Sequence, residues 1–454
     1  MLIRKLAIVL ACFIASAPLR AQQANSPAIQ SVIDRLDRLE KLNQELLTEI
    51  QELRRQLAPA QQTAATPLPP ENTPPTPSER LDVQESRTDE LAQSKVGTFN
   101  RLPVWLTGMV LFNAFENGRL GGAAEYPLTA QLTNSPAASG ATLRQTIVGL
   151  RFDGPDLPGG GKASGTANFD FWGGTAAASN NLFRIRTARI DLAWKNTTIS
   201  AGQDKPIVSP REPTSLAQVG LAPLAGAGNL WSWQPQVRIE QRFTFGDQTG
   251  VKAQAGVYET AEVYPASAPS ALSGTLEHQR PAYEGRLLFY QGTEKRRFEI
   301  APGFHESVSH VAGQSVTSRL GTLDWLVRPS NLVEFSGALF TGTDDSGLGG
   351  LRQGFTILQS GSVIPVHATG AWGQLSLFPA ARVSLHIYGG EEADRASDLT
   401  SNSVRTNLVY AGNIVYKLSS NVLTAIEVSQ ARTDYISSGL RLNNHYDLAL
   451  AYLF

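Results

Sequence analysis

Arg144, Arg184, Arg186, Arg238, Arg242, Arg286 and Arg297 recur along this chain in segments where polar and apolar residues alternate. In extended chain, successive side chains point to opposite faces, so each arginine lies opposite the apolar face of its own segment. Glu240, Glu284, Glu299 and Glu334 share the arginine face, while Lys205, Arg211 and Glu212 fall in a Pro-rich connection between two segments. Guanidinium groups gathered along a confined passage are bidentate donors to carboxylate or phosphate. The chemistry on offer is therefore attraction of small anions, moderated by Asp204, Glu212 and Glu240 nearby.

Catalytic chemistry has less to stand on. Of His278, His305, His310, His367, His386 and His445, only His305 and His310 are close, and five residues along a strand point them to opposite faces. The spacing predicts no metal site and no resident cofactor. Gly226-Ala227-Gly228-Asn229 lacks the strand and helix that a nucleotide loop needs, and is read as a turn. With 39 basic against 40 acidic residues the net charge is −1, so no broad positive field attracts nucleic acid. Cys12 is the one cysteine, which excludes a disulfide framework.

The elements that must carry these charges are strands. Val237 to Phe245 alternates apolar and polar residues, and Val251, Ala253, Ala255 and Val257 do so after the turn Asp247-Gln248-Thr249-Gly250. Sixteen such segments are expected: 102–113, 141–152, 165–176, 182–194, 197–204, 236–246, 250–260, 282–291, 296–306, 315–328, 332–341, 367–378, 382–391, 403–417, 422–433 and 441–454. Short links alternate with long ones at 114–140, 205–235, 261–281 and 342–366. A soluble sandwich has no reason to sort its links in this way. A transmembrane barrel does, with an even strand count, short turns at one end and long loops at the other. The fold class predicted is an all-β, 16-stranded antiparallel transmembrane β-barrel over 99–454, preceded by an α-helical coiled coil. The parity between Arg186 and Ile190 slips, which predicts a bulge near Ala188 and leaves the facing of Arg189 open.

Both ends of the chain carry further signals. Arg4 and Lys5 followed by an apolar run to Ala17 read as a signal peptide over 1–21, cleaved after Ala21. Ile29, Val32, Leu36, Leu39, Asn43, Leu46, Ile50, Leu53 and Leu57 form a heptad seam, so 22–58 is expected to be a coiled coil in the periplasm. Its flanking pairs Arg35 with Glu40 and Glu49 with Arg54 favour parallel chains, and apolar Ile33, Leu42 and Leu47 widen the seam toward a trimer. A Pro-rich linker, 59–98, follows. At the far end Tyr446, Leu448, Leu450, Tyr452 and Phe454 alternate up to a terminal aromatic. This resembles the signal read by the assembly machinery of outer-membrane barrels, and it fits a strand set against outer-membrane lipid with aromatics at its ends.

In this order the segments resemble the trimeric DcaP-like porins, over the whole chain. Leu182-Phe183-Arg184-Ile185-Arg186-Thr187-Ala188-Arg189 leading to Ala201-Gly202-Gln203-Asp204, and Trp233-Gln234-Pro235-Gln236-Val237-Arg238, are similar to an arginine-bearing strand, a Gly-Gln strand end and a strand start of that family. Phosphate-selective porins are a second family with comparable arginine-bearing strands. The resemblance implies a homotrimeric pore of the bacterial outer membrane that passes small hydrophilic solutes and is not an enzyme. Pore-lining or constriction residues are then Arg144, Arg184, Arg186, Lys205, Arg211, Glu212, Arg238, Glu240 and Arg242, with a modest preference for anions such as carboxylates. A structural anchor or adhesin working through the coiled coil, or a barrel-borne enzyme, are the alternatives. Loop 205–235, stiffened by Pro206, Pro210, Pro213, Pro223 and Pro235 and pinned by Trp231 and Trp233, is expected to fold inside the barrel.

Overall fold

A computed structural model describes residues 104–122, 124–174 and 182–454. The signal peptide, coiled coil and linker expected over 1–98 lie outside the described residues. Alternating segments become strands in the order β1 (Val104–Asn117), β2 (Ala138–Thr142), β3 (Ile147–Leu157), β4 (Gly161–Gly173), β5 (Leu182–Ala193), β6 (Thr197–Asp204), β7 (Gln234–Gly246), β8 (Thr249–Glu259), β9 (Pro281–Thr293) and β10 (Arg296–Val311). There follow β11 (Gln314–Ser330), β12 (Val333–Thr343), β13 (Phe355–Ile357), β14 (Val363–Pro365), β15 (His367–Ala380), β16 (Val383–Asp394), β17 (Val404–Lys417), β18 (Val422–Tyr435) and β19 (Gly439–Leu453).

Each barrel strand pairs antiparallel with its neighbours in sequence, and β1 pairs with β19, so the sheet closes on itself. Strands β2 and β3 both pair with β1 and form one stave interrupted by a turn, while β13 and β14 make a separate hairpin. That leaves the sixteen staves expected. Several reach further than the alternation alone indicates, as β10 does to Val311 and β11 does from Gln314 to Ser330. Closure removes the open edges of the sheet, and where β6 is too short to pair with the start of β5 the Gln203 side chain donates to the Ile185 and Arg186 carbonyls.

Side-chain placement inverts that of a water-soluble barrel. On β19, Leu448, Leu450 and Tyr452 are 37–52% exposed on the outer wall, while His445, Asp447, Ala449 and Ala451 are buried on the inner wall. Asn113, Gln145, Asp170, Glu284, Asp324, Asn407 and Glu427 are likewise buried, all pointing inward. Short turns at 194–196, 247–248, 294–295, 331–332 and 381–382 gather at one end. The long connections 118–137, 205–233, 260–280 and 344–366 gather at the other. The sorting is not strict, because Ala312-Gly313 closes the long-loop end between β10 and β11 as a tight hairpin with φ of 51° and 75°.

The bulge expected near Ala188 lies two residues earlier. Thr187 pairs with Asn168 and Ile185 with Phe169, so Arg186 has no partner opposite it on β4. This extra residue reverses the parity, and Arg184, Arg186 and Arg189 all face inward.

Candidate pore constriction

The connection 205–233 does not stand out from the barrel. It enters the lumen and is held from many sides by inward-facing groups. Glu284 on β9 accepts the Ile207 amide (2.6 Å), and Gln374 on β15 accepts the Thr214 amide (2.6 Å). Asn413 on β17 donates to the Thr214 carbonyl (2.8 Å). Ser215 donates to Glu427 on β18 (2.7 Å), and Asn113 on β1 donates to the Leu216 carbonyl (2.8 Å). Gln145 uses both ends of its amide, donating to the Ala217 carbonyl (2.8 Å) and accepting from Val219 (2.6 Å) and Gly220 (2.7 Å). A loop without regular structure must find partners for its backbone, and here the polar inner wall supplies them.

Charged groups complete the attachment. Arg184 grips Asp170 through two nitrogens (3.0 and 2.6 Å) and donates to the Gly220 carbonyl (2.6 Å). Arg186 reaches the same carboxylate (3.0 Å) and the Val219 carbonyl (2.6 Å). Both guanidinium groups lie over the Trp233 ring, 5.0 and 4.6 Å from its centroid, and Trp231 meets Trp233 edge-on. Arg211 on the loop pairs with Glu299 on β10 and with Asp324 on β11 (3.0 Å). Lys205 and Glu212 pair with each other across the start of the loop (2.9 Å). Asp204 holds Arg238 (2.8 Å) and Arg189 together.

Two of the expected residues sit elsewhere. Arg144 is not on a strand but in the turn between β2 and β3. It donates to the carbonyls of Phe171, Trp172, Gly173 and Gly174, pairs with Glu125 (3.3 Å), and stacks on Trp172. With its donors spent on the end of β4, it is a clamp for the wall. Arg242 pairs in register with Lys252 beside the short 247–248 turn, and its side chain is 54% exposed. It lies at the mouth of the barrel, away from the loop, with Glu240 shared between it (4.0 Å) and Lys252 (3.2 Å).

Sequence reading named Asp204, Glu212, Glu240, Glu284 and Glu299 and missed Asp170 and Asp324. Asp170, fully buried between Arg184 and Arg186, stands between Phe169 and Phe171, whose rings meet Phe183 on the outer wall. That alternation could have placed it inward. Asp324 gave the same signal on β11, where Arg286 binds it through two nitrogens (2.7 and 2.8 Å). Tyr126, on the 118–137 connection, gave none. It is buried edge-on against His445 with its hydroxyl 3.3 Å from Ser429, so a second loop also turns inward.

No match is found among protein-family models or among curated proteins. Among solved structures, the chain is similar to the outer membrane channel DcaP of Acinetobacter baumannii, with a TM-score of 0.64 and 16% identity over 78% of this chain and 98% of that one. It is also similar to an anion-selective porin from Comamonas acidovorans, with a TM-score of 0.52 and 14% identity over 78% of this chain and 100% of that one. At such identities the likeness is one of fold: a sixteen-stranded barrel of the kind that outer-membrane channels have.

Proposed function

We propose that this chain is a diffusion pore of the bacterial outer membrane, passing small hydrophilic solutes with a modest preference for anions. The observation that carries the reading is a closed barrel with an apolar outer wall, a polar inner wall, and one long loop drawn inside. Barrels of about this strand number are wide enough to leave an aqueous channel that a loop can narrow. The outer wall suits membrane lipid, and the alternating outward residues Tyr446, Leu448, Leu450 and Tyr452 of β19 suit recognition by the barrel-assembly machinery.

Support for anions comes from the placement of the basic groups. Arg184, Arg186, Arg189 and Arg238 line β5 and β7, with Lys205 and Arg211 on the loop between. Every one has a carboxylate partner, which keeps the preference modest. The same pairing favours a second reading, in which paired charges set a local field and solutes are sorted by size and dipole. Reversal potentials in a KCl gradient separate the two. Anion selectivity that falls when Arg238 and Arg242 are both replaced by alanine supports the first; cation selectivity, or no change, removes it while leaving the pore.

We further infer that three copies assemble, through barrel walls and the heptad segment 22–58 together. The seam of apolar positions supports this. Deleting residues 22–80 is expected to weaken the oligomer in mild detergent without abolishing it, and a full-length protein that is monomeric there overturns the inference.

A further inference from the structure

At the long-loop end, five carboxyl groups gather without a basic partner. Glu262 comes from the 260–280 connection, Asp344 and Asp345 from the start of 344–366, and Glu392 and Asp394 from the end of β16. None is more than 6% exposed. Asp344 Oδ2, Asp345 Oδ2, Glu392 Oε2 and Asp394 Oδ1 are buried with no hydrogen-bond partner. The basic groups of the elements packed around them are committed elsewhere or fall short. His305 meets Tyr258 and Glu284, His278 meets the Glu262 carbonyl, and His367 holds Asp398. Among the ion pairs of the described residues, none joins Arg352 or Arg395, the arginines nearest in sequence, to any of the five. Among the described residues, no three acidic or histidine groups converge closely enough to hold a metal ion.

Buried charge without a counter-ion is not tolerated, so such groups take up protons instead. The geometry agrees, because the unpartnered oxygens of Asp344, Asp345, Glu392 and Asp394 are shut away from water with no cation paired to them. These same groups fasten the loop. Glu392 accepts the Leu351 amide (2.5 Å), Asp394 accepts the Gln353 side-chain amide (2.7 Å), and Glu262 lies against Gly347. The fastened segment also holds the end of the constriction loop, since the Leu348 carbonyl accepts the Trp231 amide (2.7 Å) and the Gly347 carbonyl accepts the Gln234 side chain (2.6 Å).

We propose that these carboxyl groups are a proton-held latch, which fixes the 344–366 connection against β16 and the constriction loop and releases it as the outside medium turns alkaline. This rests on the pore reading above. Burial pushes Glu262 up to about 8 and Asp345 up to about 7, and raises Asp344 as well. Released into water, these groups return to the ordinary carboxylate range. The latched form therefore binds more protons than the released form. The latch is tightest below the ordinary carboxylate range and weakens as pH climbs toward 8.

The test is single-channel recording of the full-length protein, with pH varied on the long-loop side from about 5 to about 9. Current steps between sublevels are expected to become at least about tenfold more frequent across that range. Asp345→Asn is expected to flatten the response, and Asp394→Asn serves where the first variant does not assemble. A wild type with steady current at every pH overturns the latch and leaves the pore standing. So does a response that persists with the same midpoint in both variants, or one that follows calcium chelation instead of protons. Absence of any channel at all pH values overturns the pore itself.

Discussion

Arg211 on the inward loop and Asp324 on β11 meet at 3.0 Å, although 113 residues separate them in the chain. The carboxylate is buried and is shared with Arg286, while the Arg211 side chain keeps 20% of its exposure. Arg211→Ala removes a charge-assisted anchor and leaves Glu299 leaning on Arg297 alone. The loop is expected to lose ~2 kcal/mol of attachment. Chymotrypsin cutting after Leu216 in intact cells, slow in the parent and faster in the variant, measures this. Equal rates would show that the anchor does not restrain the loop.

Asp170 neutralises two guanidinium groups at once. Asp170→Asn keeps the shape and removes the charge, leaving Arg184 and Arg186 side by side over Trp233. If the basic set governs selectivity, the reversal potential in a KCl gradient shifts toward anions. Stability falls at the same time by roughly 3 kcal/mol, because a buried pair has lost one partner. A shift toward cations contradicts the assigned role of these arginines.

Gly228 sits where no side chain fits. Its φ is 89°, and a Cβ there would lie 2.3 Å from the Ala371 carbonyl and 2.6 Å from that of Glu391. Gly228→Ala is expected to cost about 1 to 3 kcal/mol and to lift the loop from β15 and β16. Thermal unfolding of the detergent-solubilised barrel, followed by circular dichroism, checks the cost. An unchanged midpoint would mean that the loop is not packed on the wall as described.

The outer wall offers a test of depth. Leu448 lies in the middle of the apolar band of β19, between Tyr446 and Tyr452, whereas Asn444 lies beyond Tyr446 toward the long-loop end. Leu448→Arg is expected to cost ~2 to 4 kcal/mol, and Asn444→Arg no more than ~1 kcal/mol. Urea unfolding from lipid vesicles measures both. Equal costs would place the membrane boundary elsewhere.

How far the constriction was legible varies residue by residue. Arg184, Arg186 and Arg238 were placed inward by the apolar residues flanking them, a purely local signal. The same signal misled at Arg144, because the chain turns at 143–146 and alternation says nothing within a turn. For Arg242 it named the correct wall and not the depth, since the level of a residue along a barrel depends on stagger between strands. Pairing partners were beyond reach. Ser215 and Glu427 are 212 residues apart, and nothing in either neighbourhood encodes the other.

The strand count, the two faces of each strand and the sorting of links belong to the sequence itself, because a period of two and a turn are properties of neighbouring residues. The entry of 205–233 into the lumen was also foreshadowed there, in its prolines and in Trp231 and Trp233. Tertiary structure alone decided that Gln145, Asn113, Gln374, Asn413 and Glu427 would hold this loop, and that Asp345 and Glu392 would each be buried with an unpartnered oxygen. Closing the barrel brings inward faces from distant strands around one small volume. Which groups share it is set by register and loop path, and no local pattern along the chain carries that information.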